Sequence, residues 1–103
     1  MKTPYYAVIF TSQLTNHTEG YIEMAELMEL VAKQQPGYLG LEAARNEIGI
    51  TVSYWKSTEA ILKWKSQVDH LGAQKLGRAQ WYAWYKIRIC KVEREYEFLK
   101  KDI

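Results

Sequence analysis

The stretch Gln35–Ser57, QPGYLGLEAARNEIGITVSYWKS, is a strand–turn–strand unit that carries its own boundaries. Pro36 and Gly37 end any preceding helix, because proline removes a donor and glycine accepts the left-handed cap. Tyr38–Asn46 is predicted as a strand, Glu47–Gly49 as a turn and Ile50–Lys56 as a returning strand rich in branched and aromatic residues. Ser57 is then a fitting N-cap for a helix, with Glu59 placed to complement its dipole. A hairpin held between two helices leaves the fold to be decided by the segments outside them.

Upstream, Tyr5–Gln13 reads as a first strand, and Asn16 with Glu19 forms a capping pattern. Tyr21, Met24, Ala25, Met28, Val31 and Ala32 recur at helical spacing, with Glu23, Glu26, Glu29 and Lys33 on the other side. Downstream, Ile61, Trp64, Val68 and Leu71 form one apolar stripe, and Gly72 and Gly77 predict a break into two short helices. A last strand runs from Trp81 or Tyr82 toward Phe98. Its apolar phase flips after Cys90, from Ala83, Tyr85, Ile87 and Ile89 to Cys90, Val92, Tyr96 and Phe98. A flip of this kind predicts a bulge, a bend or a new partner surface. Such a strand would reach about 50 Å, against a radius of gyration of about 13 Å for a domain of this size. It is therefore expected to run onto a second subunit.

The order βαββαβ gives an α+β, ferredoxin-like subunit, with an antiparallel sheet and helices on one face. The 103 residues are expected to form a single domain with its core at about 4–98. The second sheet face then needs cover, which two sheets packed in a homodimer would supply. Composition narrows the function. A net charge of +2 argues for no nucleic-acid partner, and no apolar run approaches the length of a membrane span. The lone Cys90 and the lack of a signal-type N-terminus fit a cytoplasmic protein. Eight Tyr and four Trp against two Phe point to an interface or a cavity wall.

No phosphate-binding glycine loop, metal-ligand spacing or nucleophilic triad is present. The remaining cluster is Trp64, His70, Gln74 and Arg78, followed by Trp81, Tyr82, Trp84 and Tyr85. His70, Gln74 and Arg78 share a face if the helix continues, and with Trp55 and Trp64 they would line a pocket between helix and sheet. Trp64 reads equally well as a core tryptophan, and His70 as a surface or capping histidine.

Gln35–Gly40, Ile50–Ser57, Glu59-Ala60, Trp64, His70, Gly77-Arg78 and Trp81-Tyr82 together resemble the antibiotic biosynthesis monooxygenase (ABM) domain family over nearly the whole chain. The resemblance implies a dimeric α+β barrel, with a pocket in each subunit and a C-terminal strand reaching the partner. It also implies one of two activities. One is cofactor-independent oxidation of an aromatic phenol to a quinone, the electron-rich substrate helping to activate O₂. On that reading Trp64, His70 and Arg78 are the catalytic candidates, with Trp55, Gln74, Trp81, Tyr82 and Trp84 binding a small aromatic compound and no metal required. The other is heme degradation, which uses a first-strand Asn, a helix Trp and a helix His as iron ligand. Trp64 matches that Trp, but Gln74 stands at the iron-ligand position and Tyr5–Gln13 contains no Asn. A non-catalytic dimeric module binding a small apolar ligand is the remaining alternative.

Overall fold

In the computed structural model, which describes residues 1–101, the chain runs β1 (Tyr5–Leu14), α1 (Tyr21–Gln34), β2 (Tyr38–Arg45), β3 (Gly49–Trp55), α2 (Thr58–His70), α3 (Ala73–Leu76), a π-helical turn (Gly77–Trp81) and β4 (Tyr82–Val92). The strands form one antiparallel sheet in the order β2-β3-β1-β4, so the hairpin lies to one side of β1 and the last strand to the other. This is the ferredoxin-like arrangement expected from the element order. Ser57 caps α2 as expected, its hydroxyl accepting from the Ala60 N–H at 3.1 Å. A cap of this kind contributes about 1 kcal/mol. The break at Gly72 is also present, with the left-handed φ of 70° that glycine tolerates.

Three expectations change. The first helix has no side-chain cap hydrogen bond: Gly20, in a left-handed conformation, is the N-cap residue before Tyr21, and Asn16 lies four residues before Gly20. In β2 the register slips between Tyr38 and Gly40, so Leu39 is an extra residue and Tyr38 shares a face with Leu41. The last strand ends at Val92 rather than near Phe98, and residues 93–100 have no regular secondary structure. The phase flip at Cys90 is not a bulge either, because β1 and β4 stay in register from Tyr5–Val92 to Gln13–Trp84. What changes is which face is apolar. Ile87 and Ile89 point to the helices, whereas Cys90 and Val92 lie beside Ala7 and Tyr5 on the opposite face.

The core lies between sheet and helices at the Trp55 end of the strands. Val8, Ala32, Trp55, Ala60 and Ile61 pack together there, with Tyr6, Tyr38 and Trp64 against them. Trp55 is fully buried and donates from Nε1 to Ser53 Oγ at 2.9 Å, which satisfies both polar groups. On the other side of the sheet, the tail is tied down at Glu95. Its carboxylate accepts from the Tyr5 hydroxyl at 2.8 Å and meets the N-terminal ammonium at 3.1 Å. These contacts, the Tyr5 bond foremost, hold the Glu95 carboxyl below its ordinary range.

Candidate functional site

The antiparallel register arranges the helix-facing side chains in rows across the sheet. Leu41, Ser53, Val8 and Ile89 form one row; Ala43, Thr51, Phe10 and Ile87 form the next; Arg45, Gly49, Ser12 and Tyr85 form the last. Between these rows and the helices lies a cavity of about 580 Å³, within the size range of small-molecule sites. Every member of the first two rows lines it, as do Arg45, Gly49 and Tyr85 of the third. Its roof is one stripe of α1 (Tyr21, Ala25, Met28 and Glu29), one of α2 (Ile61, Trp64, Lys65 and Val68), and Gln74. At ~3.3 Å per residue, the Val8 and Ser12 rows are about 13 Å apart.

The two ends differ chemically. Toward the core, Trp64 stacks on Trp55 with ring centroids 5.1 Å apart and an interplanar angle of 29°. The Trp64 indole N–H is buried and has no hydrogen-bond partner among the described residues. At the far end Phe10, Tyr82 and Tyr85 form an aromatic cluster with centroid separations of 5.4–5.6 Å, and Tyr21 sits edge-on to Tyr82 at 5.9 Å. Gly77 lets Tyr82 take this place, since a Cβ there would meet the Tyr82 ring at 2.7 Å. Burial, and then the neighbouring Tyr21, push the Tyr82 phenol well above the ordinary tyrosine range, so at neutral pH it is a neutral donor.

No family model matches the chain. Over 94 residues it is 47% identical to the uncharacterized protein YqjZ of Bacillus subtilis (strain 168), an alignment covering 89% of this chain and 82% of that protein. The chain belongs to the YqjZ family. Its fold is that of the antibiotic biosynthesis monooxygenases. SnoaB, a cofactor-independent oxygenase from Streptomyces nogalater, superposes with a TM-score of 0.74 at 10% identity, over 90% of this chain and 97% of SnoaB. A Nitrosomonas europaea protein provisionally described as an antibiotic biosynthesis monooxygenase gives 0.74 at 15% identity, over 89% and 93%. PA3566 from Pseudomonas aeruginosa gives 0.68 at 12% identity, over 93% and 99%.

In this YqjZ-family chain the structure brings Trp64, Gln74 and Tyr82 to the cavity, together with Tyr85. Trp55 stands behind Trp64 as its stacking partner. His70 does not reach the cavity: it is the exposed last residue of α2, two positions beyond Val68 and so about 200° around the helix from the lining stripe. The shared face expected for His70, Gln74 and Arg78 does not form, because the helix stops before Gly72 and restarts in a new direction. Arg78 is exposed and donates from Nη1 to the Tyr85 hydroxyl at 3.4 Å, which places it behind a wall residue. Trp81 is a structural latch, buried against Tyr21, with Nε1 donating to the Glu19 carbonyl at 2.8 Å. Trp84 projects from the opposite sheet face, where Nε1 donates to Gln13 Oε1 at 3.0 Å. Sequence reading passed over Tyr21, Phe10 and Arg45. The signal for Arg45 was its phase: it continues the Leu41–Ala43 alternation and so places a cation on the helix-facing side.

Proposed function

We propose that this protein is a cofactor-independent monooxygenase acting on a small, electron-rich aromatic compound in the cavity between sheet and helices. The observation that carries this reading is the cavity itself: about 580 Å³, floored by two apolar rows and walled by Trp64, Phe10, Tyr82 and Tyr85. A planar phenol fits such walls by stacking. The overall reaction inserts one oxygen atom of O₂ at a ring carbon of the phenol and releases the other as water. The aromatic ring supplies the electrons and becomes the quinone. The protein's part is to hold the ring and stabilise the phenolate that donates to O₂.

The lining supports this reading over histidine-ligated heme. Among the described residues no histidine or cysteine lines the cavity, Gln74 occupies the position where the heme-degrading branch carries its iron ligand, and His70 is exposed to solvent. The direct test is O₂ uptake with a dihydroxynaphthalene as probe. Consumption at least tenfold above the spontaneous rate, with an equal amount of a hydroxynaphthoquinone carrying one oxygen atom from O₂ and no hydrogen peroxide released, is the expected result. Saturable binding without O₂ uptake would instead establish a non-catalytic ligand-binding module.

We also propose a homodimer formed through the second sheet face and the C-terminal segment. Tyr96, Phe98 and Leu99 are 87%, 86% and 77% exposed in the subunit, far more apolar surface than a free tail needs. Sedimentation velocity is expected to show a dimer for the full chain and dissociation to monomers at micromolar concentration after removal of residues 93–103. A monomeric full-length protein would overturn this assembly.

A further inference from the structure

The end of the cavity farthest from Trp64 carries an unneutralised cation. Three charged side chains line the cavity, and two are neutralised on their own helices. Glu29 pairs with Lys33 and Lys65 with Asp69, each at 3.4 Å. Arg45 has no carboxylate partner among the described residues. Its bonds go to neutral groups: Nη2 donates to Ser12 Oγ at 2.6 Å and lies 3.5 Å from the Tyr21 hydroxyl, and Nη1 lies 3.5 Å from the Ser12 carbonyl.

The guanidinium is nevertheless held in place. Ser12, beneath it, is fully buried, and the Tyr21 ring is 5.8 Å from Arg45 Cζ. Gly49 supplies the space, because a Cβ at that position would collide with the guanidinium itself. The fork therefore lies over the last sheet row beside the Tyr21 hydroxyl, with the neutral Tyr82 phenol next to Tyr21. Arg45 is exposed, so the cavity has a mouth at this end; it opens along β4 as well, where Ile87 and Ile89 are exposed.

We infer that the cavity selects amphipathic aromatic anions, with the apolar ring system over the Val8 and Phe10 rows and its carboxylate or phenolate oxygen on Arg45 and Tyr21 at the mouth. A planar guanidinium is suited to such oxyanions because it offers paired, charge-assisted donors at fixed geometry. An apolar ligand of the same shape would leave this cation unpaired, and a cationic one would be repelled. The inference deepens the proposed function and rests on the same cavity. It makes Arg45 the residue that fixes which way round the ligand lies in the cavity.

The test is calorimetric titration with two matched probes, an anthracene carboxylate and its neutral primary amide. The protein as it stands is expected to bind the carboxylate at least tenfold more tightly than the amide. Arg45→Gln and Arg45→Met are expected to abolish that preference by weakening carboxylate binding at least tenfold, with a smaller loss for the amide, whose carbonyl is a neutral acceptor. Arg45→Lys should keep part of it, since the charge remains but the fork is lost. Equal binding of both probes, or a preference that survives Arg45→Gln, would overturn the anion inference and leave the cavity as the ligand site. If neither probe binds, the cavity reading fails with it. Unchanged circular dichroism and melting temperature in the variants separate these outcomes from misfolding.

Discussion

Trp55→Ala is expected to remove most of the domain's stability. The residue is 0% exposed and joins the sheet to both helices through Val8, Ala32, Ala60 and Ile61. Truncating a buried Trp to Ala costs about 3–5 kcal/mol, through lost transfer energy and the cavity left behind. A second loss follows from Ser53, which is 2% exposed and accepts from the Trp55 indole. Without that donor the Ser53 oxygen is left buried, and an unpaired polar group costs about 1–3 kcal/mol. Domains of this kind hold only about 5–15 kcal/mol in total. A melting temperature lower by about 15–30 °C is therefore expected from the core term alone. Urea denaturation followed by circular dichroism reads the change as a lower midpoint at unchanged slope. Trp55→Phe combined with Ser53→Ala should recover more than half of the loss, because it refills the space and removes the stranded hydroxyl. If Trp55→Ala melts within a few degrees of the parent, this residue is not the keystone of the core.

The pattern of elements was legible because it depends on local chemistry. Pro36-Gly37, the hairpin strands, the Ser57 cap and the Gly72 break each act within a few residues, and each is where the sequence places it. The cavity's α2 wall was legible for the same reason: Ile61, Trp64 and Val68 share a helical stripe. His70 misled because the i, i+4 rule holds only on a continuous helix, and α2 ends at that residue. Arg45 escaped notice for the opposite reason. Its neighbours Ser12, Tyr21 and Gly49 lie on three other elements or turns of chain, and only strand register brings them together. The end of β4 was misjudged because alternation continues past Val92 although β1 offers no residue beyond Tyr5 to pair with it.

Trp64 carries the second large expected effect, and this one separates function from stability. Its indole is half-buried, stacked on Trp55 and part of the cavity wall, with an N–H that finds no acceptor among the described residues. A buried donor without a partner costs about 1–3 kcal/mol. Trp64→Phe removes that cost, keeps an aromatic face against Trp55 and leaves a gap smaller than a full side chain. Gain and loss are of similar size, so its stability is expected within about 1 kcal/mol of the parent. Trp64→Ala, in contrast, loses the stack and the wall together, and should be destabilised by about 2–3 kcal/mol. Turnover is expected to follow another order. Both variants widen the cavity and loosen the ring's placement, so both should lower phenol-dependent O₂ uptake, by about tenfold for Phe and about a hundredfold for Ala. Trp64→Phe is the informative one, since a tenfold drop in turnover at parental stability cannot come from the core. Parental O₂ uptake in both variants would remove Trp64 from the site and leave it as packing for Trp55.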